Sequence, residues 1–374
     1  MYRDSQKTAR RLLRHLWIYS LYWSGLLAWA RRRVTASAGI IVLTLHRVLD
    51  EEDFRNTNSP RGMVMRSSTY EALLQCLKER CETVSFTGTP PSWTSRPARP
   101  RFAVTFDDGW KDTFAIAYPL SERFGVPITV FVCPGLAGRQ DPFWPEQVLR
   151  AWRISAGSAE SRRRFAEICA EANGEERVTG PGDVRGAEIL IERLKELRSE
   201  DRDRIIQKLD GLVRESSPSV AATPSPMDAT MTWDDTAQIA HRGVQIGSHT
   251  FDHQILTTVP IPEAERELVD SKEAIESALG RTCDMFAYPS GLWSQEVRNL
   301  VIQAGHLQAF VNQPGVWWSG TDPWLIPRVN VWEGTFAGPF GEFSHVVFQY
   351  ATFWRCYRAE VLKRKNNKAE ASAV

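Results

Sequence analysis

The stretch RFAVTFDDGW, residues Arg101 to Trp110, decides how this chain folds. Its first six residues are rich in β-branched and aromatic side chains, which predicts a short buried strand. Two adjacent carboxylates, Asp107 and Asp108, follow directly, and then Gly109. Parallel α/β folds carry their chemistry at the carboxyl ends of strands, so a site is expected here. Successive side chains of an extended chain point to opposite faces, so the two acids should have different partners.

Two histidines further along the chain complete a possible metal-binding set. The sequence SHTFDH, Ser248 to His253, follows a predicted strand, Gly243 to Gly247. His249 and His253 can bind one divalent metal when a carboxylate supplies a third ligand and water a fourth. Taken alone, such a histidine pair also occurs by chance on helices, and Asp-Asp-Gly also fits a helix-capping turn. Their joint position after predicted strands favours the metal site.

The order of predicted elements indicates a parallel α/β fold. A helix predicted from about Lys111 to Phe124 and a strand from Ile128 to Cys133 form a βαβ unit with RFAVTF. The apolar run Gly39 to Leu45 predicts an earlier buried strand, which ends at His46. Residues 141–230 are charged, favour helices and contain no clear strand. They are interpreted as a helical insertion in a barrel.

The composition limits the classes of function. With 374 residues, 43% of them hydrophobic, the chain can form one large α/β domain or two small ones. Residues 1–33 contain eight Lys or Arg and one acid, so they carry +7 of a net charge of +1 and the remainder carries −6. This acidic remainder does not favour nucleic-acid binding. The six cysteines form no Cys-x-x-Cys pair and indicate neither a disulfide framework nor a zinc-thiolate site.

The N-terminal segment combines apolar, aromatic and basic residues. Its apolar run, Leu16 to Ala30, is shorter than the roughly 20 residues needed to cross a bilayer. Tryptophans and tyrosines within it and arginines on both sides favour a helix that lies on anionic lipid, so peripheral membrane contact through residues 1–33 is expected. Two alternatives remain, a helix that packs on the barrel and a signal peptide, although Arg31 to Arg33 argue against export.

Three motifs resemble those of a known family. TFDDG (Thr105–Gly109), SHTFDH (Ser248–His253) and FAYPSG (Phe286–Gly291) are similar, in the same order, to the first three motifs of the polysaccharide deacetylase family. This family is also called the NodB-homology family or carbohydrate esterase family four. The resemblance covers about residues 37–335, and it implies an α/β fold of the distorted (β/α)₇ barrel type with the insertion and an N-terminal helix added.

The resemblance also implies roles for the motif residues. It assigns Asp107 as the general base and Asp108, His249 and His253 as ligands of one divalent metal ion. Zn²⁺ is expected, with Co²⁺, Ni²⁺, Fe²⁺ or Mn²⁺ as alternatives. The residues assigned to substrate binding are Trp110, Tyr288, Pro289 and Gly291.

Two departures from the family pattern matter. Many members carry an arginine early in the third motif, where this chain has Ala287, and a catalytic-acid histidine in a late Leu-x-His motif that this chain lacks. The chain instead resembles the subgroup of poly-N-acetylglucosamine deacetylases, in which the later motifs are permuted. There a histidine in a sequence like Leu43-Thr44-Leu45-His46-Arg47-Val48 serves as acid, so His46 receives that role. Arg328, in Ile326 to Val329, is the candidate for the arginine that orients the base.

The residue pattern and the resemblance together predict three regions: a basic N-terminal helix in 1–36, the barrel in 37–335 with its insertion in 141–230, and a C-terminal helix and tail in 336–374. The expected activity is metal-dependent removal of N-acetyl groups from amino sugars of a polysaccharide or lipid-linked glycan. Two alternatives are a catalytically silent glycan-binding module of an exopolysaccharide system and an amidohydrolase of small cyclic amides. The expected location is the cytoplasm or the surface of the inner membrane, with export by an uncleaved or atypical signal as the alternative.

Overall fold

Seven parallel strands close into a barrel in the computed structural model, which describes residues 2–86, 93, 96–140, 143–173, 184–216 and 225–362. The strands are β1 (Ile40–Leu45), β2 (Arg47–Leu49), β3 (Val64–Arg66), β4 (Glu82–Thr83), β5 (Arg101–Phe106), β6 (Ile128–Val132), β7 (Gln245–Ser248), β8 (Met285–Ala287), β9 (Gln308–Val311) and β10 (Ile326–Asn330). The barrel order is β1-β10-β9-β8-β7-β6-β5, and β1 pairs with β5 to close it. β4 extends β5 outside the barrel, and β2 and β3 form a separate parallel pair. The predicted (β/α)₇ barrel is confirmed.

Helices surround this barrel and form the insertion. They are α1 (Tyr2–Trp23), α2 (Leu26–Ala36), α3 (Glu51–Asn56), α4 (Ser67–Arg80), α5 (Tyr118–Phe124), α6 (Trp144–Ser155), α7 (Ala159–Asn173), α8 (Val184–Leu194), α9 (Ser199–Ser216), α10 (Trp233–His241), α11 (Ile261–Leu279), α12 (Gln295–Gln303) and α13 (His345–Gln349). A π-helical turn, Thr113–Ala117, precedes α5, and a second one, Tyr350–Trp354, follows α13. Helical structure continues over 355–362.

The alternation of side chains along β5 explains why its end carries the site. Phe102, Val104 and Phe106 belong to the hydrophobic cluster that lies under the outer helices. Ala103 belongs to the second cluster, which fills the barrel. Asp107 follows two residues after Thr105 and four after Ala103, so it continues the row that faces the barrel interior.

The insertion has a hydrophobic core of its own. Helices α6 to α9 bury a separate cluster that includes Val148, Cys169, Leu190, Leu209 and Leu212. Polar contacts attach this bundle to the barrel. Arg153 of α6 donates to the backbone oxygens of Asn56 and Thr57, at 2.7 and 2.8 Å, and Arg202 of α9 donates to Gln254 at 2.9 Å.

The N-terminal segment forms two helices, which corrects the prediction of one. The chain turns between α1 and α2 at Gly25, whose φ of 78° lies in the left-handed region and ends the helical hydrogen-bond pattern. The pair packs on α13 and on the π-helical turn that follows it, and Ile18, Leu21 and Leu27 are buried. Among the described helices, none combines the length and the apolar character needed to cross a membrane.

Candidate active site

Asp107 is held by an arginine inside the barrel. Its two carboxylate oxygens accept hydrogen bonds from Nη1 and Nη2 of Arg328, each at 2.7 Å, and both residues are buried. Arg328 also donates to Thr105 Oγ1 at 3.2 Å and to Asn312 Oδ1 at 2.8 Å. Burial alone would raise the pKa of Asp107, but the Arg328 charge outweighs it and the pKa is lowered. Asp107 is therefore an oriented carboxylate.

Asp108 faces the two histidines instead. Its Oδ1 lies 3.4 Å from Nε2 of His249 and 3.4 Å from Nε2 of His253. One ligand atom from each of these three residues lies within 4.8 Å of the other two. Burial would raise the pKa of Asp108, but the two imidazoles hold it well below its usual value. The adjacent acids thus have different partners, as the sequence predicts.

This arrangement fits a divalent metal ion. Asp108 Oδ1 is buried and has no hydrogen-bond partner among the described residues. The carbonyl oxygen of Ala287 accepts a hydrogen bond from His249 Nδ1 at 2.7 Å, which leaves Nε2 of that ring as a lone-pair donor. An unpartnered carboxylate oxygen beside imidazole nitrogens is the donor set that Zn²⁺ and related ions prefer.

The backbone around these ligands is unusual. The described part of the chain has five non-glycine residues with positive φ, and four of them belong to the site loops: Asp108 (74°), Thr250 (64°), His253 (59°) and Ser290 (56°). Such conformations cost about 1–3 kcal/mol each and cluster at functional sites. Here they turn the strand-end loops so that Asp108 and the histidines converge.

Trp110, which was predicted to bind substrate, lies behind Asp108, His249 and His253. Its side chain is fully buried and its Nε1 donates to Asp108 Oδ2 at 3.0 Å. The ring packs between the guanidinium of Arg47, 4.2 Å from its centroid, and Phe143, 4.7 Å away. Trp110 therefore positions Asp108 and has no surface for a sugar.

The other residues predicted to bind substrate lie around the turn that follows β8. Tyr288 is fully buried and donates to the backbone oxygen of Trp324 at 3.1 Å, so its ring has no surface for a ligand. Pro289 and Gly291 are buried too, whereas Ser290 between them lines the cleft. A Cβ at Gly291 would lie 2.7 Å from the backbone nitrogen of Asn312, so this turn requires glycine.

His46 lies in the same cleft as the metal-binding set. It stands between β1 and β2, and it lines the cleft together with Asp108, His249 and His253. Its Nδ1 is buried without a hydrogen-bond partner among the described residues. Burial lowers the pKa of His46, against the opposite effect of the Asp108 and Asp107 charges. Neither His306 nor His345 is among the described residues that line this cleft.

The cleft has a volume of about 570 Å³, and the insertion supplies one of its walls. That side is lined by Trp144 of α6, by Glu188, Ile191 and Glu192 of α8, and by Lys195 just after α8. The opposite side includes residues from strand ends and from the segment before β3: Arg61, Met63, Asn312, Asn330 and Trp332.

Sequence reasoning missed several of these residues. Asn312 and Asn330 stand at the ends of β9 and β10, and this position was a usable signal. The wall contributed by α8 had no such signal, because its contact with the cleft depends on how the insertion packs. Arg47 lies next to His46, but its buried ion pairs with Asp112 and Asp228 depend on distant segments.

Comparisons with known proteins agree with these motifs. The family model for polysaccharide deacetylases matches residues 216–309. The Bacillus subtilis (strain 168) protein YxkH, a polysaccharide deacetylase by name, is 24% identical over 113 residues. That match covers 30% of this chain and 40% of the length of YxkH.

Several solved structures are similar to this chain in their backbone fold. The Streptococcus pyogenes deacetylase PplD in complex with acetate is 16% identical, with a TM-score of 0.49, over 81% of this chain and 96% of its own. IcaB from Ammonifex degensii is 16% identical, with a TM-score of 0.49, over 85% of this chain and 97% of the IcaB chain. The BpsB deacetylase domain from Bordetella bronchiseptica is 15% identical, with a TM-score of 0.43, over 78% and 94%.

The matched segment contains the histidine pair and the FAYPSG motif, and the described barrel brings both to the Asp-Asp end of β5. By its sequence match over residues 216–309 and its site motifs, the chain is similar to the polysaccharide deacetylase, or NodB-homology, family.

Proposed function

We propose that this protein is a metal-dependent hydrolase that removes N-acetyl groups from amino sugars of a polysaccharide or lipid-linked glycan. The observation that supports this proposal most is that the two adjacent acids have different partners. Asp107 is oriented by Arg328, and Asp108 faces His249 and His253 in the same cleft. Amide hydrolysis needs both an oriented base and an electrophilic centre beside it.

Asp108, His249 and His253 would hold the ion, which when bound polarises the acetyl carbonyl and makes water easier to deprotonate. Asp107 accepts a proton from the attacking water while the new carbon–oxygen bond forms. Arg328 keeps both oxygens of that carboxylate in place during the transfer. Its contact with Asn312 fixes the guanidinium in turn.

His46 completes the reaction as the general acid. An amine is a poor leaving group until its nitrogen is protonated, so the carbon–nitrogen bond breaks as His46 donates a proton to that nitrogen. The products are acetate and a free amino sugar. This assignment places the chain with the permuted-motif subgroup and rests on the position of His46 in the cleft.

The cleft supports a glycan as substrate over the two alternative functions. A volume of about 570 Å³ and a wall formed by α8 exceed the needs of a small cyclic amide. Trp144 and Trp332 offer aromatic surface for sugar rings at the edges of the cleft. A catalytically silent binding module would have no need for a buried Asp107–Arg328 pair beside a three-residue metal set.

Release of acetate from N-acetylated glycans tests the proposal. Wild-type protein loaded with Zn²⁺ should release acetate from poly-N-acetylglucosamine oligomers or from a lipid-linked N-acetylated glycan. His46→Ala should lower the rate about 10²–10⁴-fold while the metal content stays the same. The loss should be smaller for an acetyl ester, whose leaving alcohol needs less protonation. His345→Ala, outside the cleft, is the matched control. Normal amide hydrolysis by His46→Ala would contradict its role as acid.

Contact with an anionic membrane is the second part of the proposal, and it keeps the protein peripheral on the inner membrane. The outer face of α1 exposes Leu16 (66%), Trp17 (53%) and Trp23 (79%), whereas α1 packs against α2 and α13 on its other side. Phe340, 94% exposed, lies in a loop joined to α1 by a hydrogen bond from Arg11 to the Pro339 oxygen. Water-exposed apolar patches of this kind mark interaction surfaces, and neighbouring arginines suit anionic lipid.

A matched pair of double variants tests the membrane contact. Leu13→Gln with Leu16→Gln should reduce flotation with phosphatidylglycerol vesicles about tenfold or more, because each exposed leucine gives up burial in lipid. Leu307→Gln with Leu362→Gln removes two similarly exposed leucines elsewhere and should change nothing. Equal flotation of both variants, or a dimer that only the α1 variant dissociates, would contradict the proposal.

A further inference from the structure

A second cleft lies at the opposite end of the barrel from the candidate active site. It has a volume of about 320 Å³ and touches the end of α2, the end of α4 and the segment that leads into β5. Asp107 follows the last residue of β5, whereas this cleft borders the residues that precede the first. A six-residue strand is about 20 Å long, so the two clefts are well separated.

Five arginines line this second cleft, together with uncharged residues. The arginines are Arg31, Arg32, Arg80, Arg96 and Arg99, and the remaining lining residues are Thr35, Pro97, Ala98 and Pro100. Within the described ranges no carboxylate lines the cleft, and none of the five guanidinium groups forms an ion pair. Elsewhere on this surface arginines do pair, as Arg123 does with Glu71 at 2.6 Å.

Two neighbouring groups respond to this concentration of positive charge. Burial raises the pKa of the Cys81 thiol to about 12, and Arg31, Arg80 and Arg99 act in the opposite direction. Burial lowers the pKa of His345, and Arg80 and Arg31 lower it further. Guanidinium groups from three separate segments therefore approach the same small region.

Helix dipoles do not account for the whole cluster. Basic residues are favourable in the last turn of a helix, and this explains Arg80 at the end of α4. Arg96 and Arg99 lie in a non-helical segment and gain nothing from a dipole. Their convergence with Arg31 and Arg32 brings like charges together, which is unfavourable unless an anion occupies the cleft.

We propose that this cleft binds a phosphate-bearing group, either a phosphomonoester or a diphosphate. Planar guanidinium groups donate paired hydrogen bonds to phosphate oxygens, and several of them can surround one such group. The group can come from a phospholipid headgroup or from a soluble phosphate ester. The first source is consistent with Trp29, which is 39% exposed on α2, the helix that also carries Arg31 and Arg32.

Binding of inorganic pyrophosphate tests the site with a defined probe. Isothermal titration of the full chain at low salt should detect binding. Arg31→Gln, Arg80→Gln and Arg99→Gln together should weaken it about tenfold or more, because charged hydrogen bonds are lost. A triple Arg→Lys variant at the same positions keeps the charge and should bind with intermediate affinity. Acetate release from a soluble glycan should not change, because the active-site cleft is remote.

A matched control removes the same charge from the insertion. Arg163, Arg193 and Arg204 are exposed there and pair only with local acids, so their change to glutamine should leave pyrophosphate binding intact. Absence of pyrophosphate binding by the wild type, or equal weakening in the control, overturns the proposal. If the Arg→Gln variant has a lower melting temperature, the Arg→Lys variant decides: intermediate pyrophosphate affinity without unfolding supports the site, and unchanged affinity contradicts recognition by the guanidinium groups.

Vesicles distinguish the two sources of phosphate. Phosphatidic acid vesicles that compete with pyrophosphate, when phosphatidylcholine vesicles do not, identify a headgroup ligand. Competition by soluble sugar phosphates alone identifies the soluble source. The Leu13→Gln, Leu16→Gln variant should retain pyrophosphate binding. This result would show that the arginine cleft binds phosphate independently of the apolar face of α1. Loss of pyrophosphate binding in that variant would contradict a separate cleft.

Discussion

Asp107 and Asp108 show how two neighbouring residues of the same type acquire different chemistry. Asp107 lies inside the barrel in a bidentate pair with Arg328, and both side chains are fully buried. Removing one partner of a buried pair costs about 3–5 kcal/mol, because the other charge is left uncompensated. Asp108 adopts a left-handed backbone conformation and turns its Oδ1 towards the histidines.

The first prediction separates the base from the ligand. Asp107→Asn keeps the shape of the side chain but cannot accept a proton, so turnover should fall about 10²–10⁴-fold with the metal retained. Asp108→Ala removes a ligand, so the metal should be lost. Elemental analysis of the purified variants measures metal per chain. Equal metal loss in both variants would contradict the assignment of the two acids.

The second prediction concerns the indole behind the metal-binding set. Trp110→Phe retains the ring between Arg47 and Phe143 but removes the Nε1 hydrogen bond to Asp108. Loss of an outer-shell contact of this kind should weaken Zn²⁺ binding about 10–100-fold, measured by competition with a chelator. Trp152→Phe, in the insertion, removes an indole with no such contact among the described residues and should have no effect. Unchanged Zn²⁺ affinity in Trp110→Phe would show that Asp108 needs no orientation.

Among the secondary-structure elements, the strands that end at the site could be predicted from the sequence. The backbone conformation of the loops that follow these strands could not. Alternating β-formers in RFAVTF predicted β5, and the polar residues after β1, β5 and β7 predicted which strands meet at the site. The left-handed conformation of Asp108 and His253 was not predicted, because Asp and His adopt it more readily than most residues but the surrounding fold determines at which positions they do so. The burial of Trp110 was missed for a similar reason, since it depends on Phe143 and Arg47 from other segments.

The third prediction tests the turn that follows β8. In Gly291→Ala, the added Cβ would lie 2.7 Å from the backbone nitrogen of Asn312. The φ of 68° at this position is also unfavourable for alanine, so the backbone is strained and Asn312 is displaced. We expect a loss of about 2–4 kcal/mol in the free energy of unfolding, together with lower activity, since Asn312 holds Arg328. Gly280→Ala has a similar φ of 64° but open space, and should cost only about 1 kcal/mol. Urea unfolding of the two variants compares them, and equal losses would contradict the close approach.

At the scale of the whole molecule, a buried polar network joins the insertion to the barrel. Arg47 is fully buried and pairs with Asp112 at 3.0 Å and with Asp228, near the end of the insertion, at 2.8 Å. The insertion itself could be predicted from its charged, helix-favouring sequence. This attachment could not, because it joins residues more than 60 positions apart and leaves no local pattern.

Near this network lies a buried carboxyl group that makes stability depend on pH. Glu146 of α6 is buried, and burial raises its pKa from 4.5 to about 8, although Arg47 acts in the opposite direction. The folded state therefore binds this proton more tightly than the unfolded state does. Its contribution to stability is complete below about pH 4.5 and declines as pH rises to about 8.

The fourth prediction follows from the decline of stability with rising pH that the raised pKa of Glu146 causes. Glu146→Gln, which cannot ionise, should lose the decline in unfolding free energy between about pH 4.5 and pH 8 that the wild type shows. At pH 9 the variant should be more stable than the wild type by an amount on the order of a few kcal/mol, since one pKa unit corresponds to about 1.4 kcal/mol. Glu160→Gln, on the exposed surface of α7, is the control and should leave the pH profile unchanged. Urea unfolding across this pH range decides the matter: if the variant is less stable than the wild type at every pH, the Glu146 carboxylate is ionised and paired in the folded protein.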